Sequence, residues 1–271
     1  MKTLNRITRF FVCFSIVFLI FISLVGCNNN ANNGGVLQPP NVEENPPLEE
    51  EIPVIKNVIT YVKSKVNGLN IRETPSTTSN VVGVINKNDM VVFKDTVGNW
   101  YKTLYKGKTA YLSASTSLTT LSTFDKADDK TEMVMELGAS LLGTKYVYGA
   151  TRLHNGKGVF LTGFSQSAFD CSSFTQYLFY YGADVLLNLT TRTQVLQGSS
   201  VKDIKNLKRG DLMFFTNAQR YNNVGTERIG HVAIYFGDNY ILHTASDYAV
   251  IEPISTTRWK YLLQVKRHIN V

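Results

Sequence analysis

Cys171 and the histidines are the residues of this sequence able to do nucleophilic chemistry. The chain has three cysteines (Cys13, Cys27, Cys171) and four histidines (His154, His231, His243, His268). Cys171 follows Ala168-Phe169-Asp170 and opens an apolar run with Phe174, Tyr177, Leu178 and Tyr181 on a helical spacing. Asp170 is a good N-cap, which puts Cys171 in the first helical turn. There, unpaired N–H groups and the helix dipole favour a thiolate, so the position predicts a lowered thiol pKa. The same N–H groups can donate to an oxyanion.

A thiol nucleophile needs a base, and His231 and His243 are the candidates. Ile229–Phe236 and Tyr240–Ala245 read as two strands around Gly237-Asp238-Asn239, a hairpin signal. Register decides whether the histidines meet. A two-residue loop pairs Gly237 with Tyr240 and Ile234 with His243, and the imidazoles face apart. A three-residue loop sets Ala233 opposite His243 and brings His231 to the same face, diagonally adjacent. The nucleophilic reading therefore requires an odd loop. His231 would then take the thiol proton and His243 would orient it. A zinc site made from the same three residues lacks the close ligand spacing of structural zinc motifs. His154 and His268 are read as structural.

The elements that must position these groups come after an unusual N-terminus. Lys2, Arg6 and Arg9 precede an apolar run, Phe10–Leu24, that is short for a membrane span and ends on Leu24-Val25-Gly26-Cys27. Residues 28–55 are rich in Asn, Pro and Glu, with no base before Lys56, and read as a disordered tether. The formal charge is +7, which suits an anionic polymer such as a cell wall, and equally nucleic acid or a membrane surface. From Lys56 to Thr120, Ile59–Val62, Leu69–Arg72, Val81–Ile85, Met90–Phe93, Trp100–Leu104 and Thr109–Leu112 are strand-like runs between turn residues, as in a small barrel or sandwich. After Asp125 helix and strand signals mix, which predicts an α+β domain. Met133, Val134, Leu137 and Leu141 predict a helix over 130–142, Cys171–Tyr181 a largely buried one, and Leu212–Phe215 a strand.

Three resemblances attach to these residues. Leu24-Val25-Gly26-Cys27 resembles a bacterial lipoprotein signal, which implies lipid on Cys27 and cleavage before it. That leaves Cys171 as the one thiol of the exported part, without a disulfide partner. Leu69-Asn70-Ile71-Arg72-Glu73-Thr74-Pro75-Ser76, with Gly98-Asn99-Trp100-Tyr101 and Gly107–Leu112, resembles bacterial SH3-like domains, implying a wall-targeting or substrate-framing module. Phe169-Asp170-Cys171-Ser172-Ser173-Phe174, Lys208–Phe215, Ile229–Tyr235 and Ile241–Ala245 resemble the ordered motifs of the NlpC family of cell-wall peptidases. This implies a papain-like α+β fold with Cys171, His231 and His243 as triad. It also implies cleavage of peptidoglycan stem peptides between γ-D-glutamate and the diamino acid.

Further positions carry over singly. Lys145-Tyr146-Val147-Tyr148-Gly149 resembles the family's tyrosine motif, implying that Tyr146 lines the site. Asp170 and Ser172 match positions that bind the substrate's amino end in members cutting freed stem peptides; Asp170 could equally cap its helix. Arg192 is a candidate partner for a substrate carboxylate. The sequence departs from the pattern at Ser173 and Ala150, where glycines are usual, and in a long Thr151–Ala168 connection that could form a lid or side wall. The implied organisation is a signal over 1–27, a tether over 28–55, an SH3-like barrel over 56–122 and a peptidase domain over 123–271. Such a protein would sit outside the cytoplasmic membrane, held by lipid on Cys27, with peptidoglycan as its partner. Neither nucleic acid, metal nor organic cofactor is implied. The alternatives are a non-catalytic wall-binding lipoprotein, or an amidase or acyl transferase on the same fold.

Overall fold

The computed structural model describes residues 57–245 and 247–270; the apolar N-terminal run, Cys27 and the tether lie outside the described residues. The first elements are all strands: β1 (Val58–Ser64), β2 (Leu69–Arg72), β3 (Val81–Ile85), β4 (Met90–Val92), β5 (Asp95–Val97), β6 (Trp100–Tyr105), β7 (Lys108–Ser113) and β8 (Thr119–Asp125). The six expected runs are among them. The exposed Asp-Thr-Val of β5 carries no burial pattern that would betray it. Strand order β3-β2-β7-β6-β5 makes one sheet, while β8, β1 and β4 form the end of another. Ile71, Leu112, Tyr61 and Val91, all fully buried, fill the space they enclose.

Helix α1 (Asp129–Ser140) follows, capped by Asp128, whose side chain accepts from the N–H groups of Lys130 and Thr131. Its buried face is Val134, Met135, Gly138 and Ala139, whereas Met133, expected inside, is exposed. Two-residue strands β9 (Lys145–Tyr146) and β10 (Ala168–Phe169) pair in parallel and deliver the chain into α2 (Cys171–Ala183). After α3 (Thr191–Gln194) and β11 (Ser199–Ser200) come β12 (Leu212–Phe215), β13 (His231–Gly237), β14 (Tyr240–Ala245), β15 (Tyr248–Pro253), α4 (Thr256–Tyr261) and β16 (Leu262–Arg267). The main sheet runs β11-β16-β12-β13-β14-β15-β4-β1-β8, so a backbone pairing of Ile251 with Met90 joins the barrel strands to the rest. α1 and α2 pack together against this sheet. The result is an α+β, papain-like fold preceded by an SH3-like barrel.

Arg209 fastens the two parts. Its Nε lies 2.7 Å from Glu132 Oε1 on α1, its Nη2 donates to Tyr61 Oη on β1 at 3.4 Å, and its guanidinium lies 4.2 Å from the centre of the Phe236 ring. Removing one member of so buried a pair strands the other charge. The α1–α2 contact depends on Gly182, where a Cβ would come within 2.7 Å of the Val134 backbone. Gly182→Ala is therefore expected to destabilise the fold by about 1–3 kcal/mol despite alanine's better helix propensity, as a denaturant midpoint shift would report.

Candidate active site

Cys171 stands where its neighbours predict. Asp170 accepts from the Ser173 N–H at 2.8 Å, and Ser173 Oγ accepts from the Asp170 N–H at 2.9 Å, a reciprocal capping box. Ser173, the departure from the usual glycine, thus completes the cap. The apolar face behind the nucleophile (Phe174, Leu178, Phe179) is fully buried. β9 and β10 set Tyr146 opposite Phe169, two residues before the thiol.

The histidines meet through a route that loop length alone does not predict. Asp238 and Asn239 both adopt left-handed backbone (φ 47° and 67°), a two-residue turn with Gly237 paired to Tyr240. By itself that register separates the imidazoles. A bulge between Tyr235 and Gly237 then shifts the pairing to Tyr235–Ile241 and Ile234–Leu242, restoring the register of an odd loop. His231 Nε2 lies 2.9 Å from His243 Nδ1.

Sequence reasoning missed Glu252. On β15 it pairs with Ile241, on the same strand face as His243, and its Oε1 lies 2.9 Å from His243 Nε2. Arg258 Nη2 donates to the same oxygen at 3.1 Å. The available signal was the short apolar run Ala249-Val250-Ile251, which reads as a buried strand ending at Glu252. Burial opposes the Glu252 charge, but the hydrogen bonds from His243 and Arg258 outweigh it and hold its carboxyl below the usual range.

This chain orders the protons. An ionised Glu252 only accepts, so His243 carries its proton on Nε2 and its Nδ1 accepts from His231 Nε2–H. His231 is left with a bare Nδ1, the form a general base needs. Burial keeps both imidazoles below their ordinary pKa, in line with two neutral rings.

Burial, with the Asp170 charge added, pushes the Cys171 thiol up to about 12, against the opposing N–H groups of Val232 and Ser172. This corrects the sequence expectation of a lowered thiol pKa: the helix end is there, but desolvation outweighs it. At rest the site therefore holds a neutral thiol, bonded by the Val232 N–H, and a neutral imidazole on the preceding residue, His231. Burial, then the nearby Cys171 and Asp170, raises the Tyr146 phenol to about 12, so it remains a hydrogen-bond donor.

The remaining predicted residues line one cleft of about 290 Å³: Tyr146, Asp170, Cys171, Ser172 and Arg192, with Arg152 and Arg220 added. A second cleft of about 760 Å³ holds His231 and Glu252 and shares Tyr146, Asn217 and Gly230 with the first. Gln194, also unanticipated, is fully buried and donates to the Ser172 and Asn188 carbonyls, holding the Arg192 turn against α2. Among the described residues no cluster of His, Cys, Asp and Glu is arranged to hold a metal ion.

Four imidazoles held below their ordinary value give a pH signature. His154, His231 and His243 are lowered and His268 is pushed down to about 4, burial being the main cause each time. The unfolded chain binds these protons near pH 6.5 and the folded chain only at lower pH, so their stabilisation is lost as pH falls below about 6.5. Asp89, raised to about 6 by burial, works the other way below that value. Four groups against one predict a net loss. The thermal midpoint should drop by roughly 5 °C or more from pH 7 to pH 5; an unchanged midpoint would contradict the neutral-imidazole assignment.

Fold and site thus define a papain-like domain bearing a thiol and a His–His–Glu chain. Residues 143–267 match the NlpC/P60 family and residues 67–117 match the bacterial SH3 domain, so a match to a bacterial SH3 domain is followed along the chain by a match to an NlpC/P60 domain. The γ-DL-glutamyl hydrolase of Bacillus subtilis (strain 168) is 29% identical over 157 residues, covering 58% of this chain and 33% of that protein. The peptidoglycan DL-endopeptidase CwlO of Bacillus licheniformis is 30% identical over 132 residues, covering 48% and 26%. The matched region thus spans a third or less of these curated relatives. A crystal structure of an NlpC/P60 family protein from Bacillus cereus ATCC 10987 is 21% identical, covering 78% of this chain and 64% of that one, with a TM-score of 0.42.

Proposed function

We propose that this protein is a cell-wall hydrolase, a cysteine endopeptidase that cuts peptidoglycan stem peptides between γ-D-glutamate and the diamino acid. The observation that carries the reading is the hydrogen-bonded chain Glu252–His243–His231, which leaves a bare imidazole nitrogen on the residue next to Val232, whose backbone N–H bonds to Cys171. The relatives' names, γ-DL-glutamyl hydrolase and peptidoglycan DL-endopeptidase, agree with that bond type.

In this mechanism the Cys171 sulfur attacks the γ-carbonyl carbon while His231 Nδ1 takes the thiol proton. The oxyanion receives hydrogen bonds from the Cys171 N–H at the helix start and from the Tyr146 hydroxyl. His231 then protonates the leaving amine, a thioester remains on Cys171, and water, deprotonated by His231, releases the acid. His243 and Glu252 keep the tautomer and favour the imidazolium formed on the way. The SH3-like barrel frames the substrate, and lipid on Cys27 with the 28–55 tether holds the protein outside the cytoplasmic membrane. In this organisation residues 1–27 are the signal, 56–122 the barrel and 123–271 the peptidase domain.

The test is incubation with purified peptidoglycan and with free stem peptides, read by mass spectrometry. New ends after D-glutamate support the reading. Release of L-alanine from the sugar would make the enzyme an amidase, and wall binding without cleavage would make it a non-catalytic binding lipoprotein.

A further inference from the structure

The cleft beside Cys171 contains one carboxylate, Asp170, and three guanidinium groups, those of Arg152, Arg192 and Arg220. The carboxylate is already engaged. Arg152 Nη2 lies 2.8 Å from Asp170 Oδ2 and also donates to Ser172 Oγ at 3.0 Å, so one nitrogen bridges both side chains. Ser172 Oγ and the Ser173 N–H donate to Oδ1, and the Gly149 N–H donates to Oδ2. Arg152 is itself pinned: Nε donates to the Leu189 carbonyl at 2.9 Å and Nη1 to the Ala150 carbonyl at 2.7 Å. With side chains 17% and 6% exposed, Arg152 and Asp170 form a built ion pair rather than a surface contact.

The other two arginines converge from separate segments. Arg192 Nη1 and Arg220 Nη1 lie 3.4 and 3.2 Å from the same oxygen of Glu227, a largely exposed side chain. One carboxylate can therefore meet both, and a substrate carboxylate can exchange for that of Glu227. An ammonium group entering this cleft meets three cations and one carboxylate that is already paired.

We infer that Arg152 closes this cleft to a free amino end and makes it selective for acidic γ-glutamyl peptides whose amino group is acylated. The inference rests on the proposed hydrolase reading and narrows its substrate to internal segments of a chain: the α-carboxylate beside the scissile bond goes to Arg192 and Arg220, and no ammonium reaches Asp170. Arg152 is a selectivity residue and touches no reacting atom.

The test uses L-Ala-γ-D-Glu-L-Lys and its N-acetyl form, with binding to the full chain carrying Cys171→Ala followed by calorimetry. The acetylated peptide is expected to bind about 10-fold or more tightly than the free amine. Adding Arg152→Gln should erase or reverse that ratio by exposing Asp170, and adding Asp170→Asn to that variant should remove the gained affinity for the amine. Arg152→Lys, which retains a cation on Asp170, should keep the preference and guards against a folding artefact in Arg152→Gln. Tighter binding of the free amine to the Arg152 protein, a ratio unmoved by Arg152→Gln, or no binding of either peptide overturns the inference. Binding with the expected ratio but no hydrolysis by the unsubstituted chain sinks the hydrolase reading alone.

Discussion

Replacing Cys171 by alanine is expected to lower stem-peptide hydrolysis by about 10⁴-fold or more, while the thermal midpoint stays within a few degrees. The size of the loss follows from the chemistry. His231, His243 and Glu252 move and hold a proton, but only the sulfur forms a bond to the substrate carbon. The fold should survive because the change removes one sulfur atom at a helix start whose cap is made by Asp170 and Ser173. Cys171→Ser separates nucleophile from shape, since a hydroxyl of similar size is far harder to deprotonate and should also lose most activity. Single-turnover assays with matched unfolding curves decide the matter. Activity within 10-fold of the parent in Cys171→Ala would end the thiol mechanism.

The same residue marks where sequence reading stops. The helix start at Cys171, with Asp170 as cap, was legible because capping is local: it depends on side-chain chemistry within a few residues. The six barrel strands were legible for a similar reason, as alternation between turn residues. The thiol's pKa was not, because it depends on how much protein covers the sulfur, and that cover comes from β13 and the loops around it. The hairpin is an intermediate case. Gly237-Asp238-Asn239 announces a hairpin and the hairpin is there, but its turn has two residues, and the bulge beside it decides which way His243 faces. A bulge adds one residue to one strand and leaves almost no trace in composition.

Arg152 and Glu252 show the same limit at longer range. Arg152 lies in the Thr151–Ala168 connection, which reads as a lid or wall by its length alone; that it folds back onto Asp170 is a tertiary fact. Asp170 was open to two readings, helix cap or partner for a cation. The structure shows the cap, and in place of a substrate's amino end it pairs the carboxylate with Arg152 of the chain itself.

Glu252→Gln is expected to lower kcat on the order of 10²-fold with little change in KM, because the substituted group acts on the reacting atoms only through His243 and His231. A glutamate at 252 can only accept, which forces the proton of His243 onto Nε2 and, through the 2.9 Å contact between the rings, leaves Nδ1 of His231 bare. A glutamine offers an NH₂ as readily as an oxygen. If it donates to His243 Nε2, the proton of His243 moves to Nδ1, which then points at Nε2 of His231 as a donor and drives the His231 proton to Nδ1, the nitrogen the thiol needs empty. The charge is lost as well, so the imidazolium formed during attack loses its nearest anion, and Arg258, which now shares Glu252, is left closer to an unopposed cation. A merely structural role for Glu252 predicts something else: lower stability at unchanged kcat per folded molecule. Measuring kcat, KM and the unfolding midpoint on one preparation distinguishes these, and Glu252→Asp, which keeps the accepting carboxylate on a shorter arm, should recover part of the lost kcat where the amide does not.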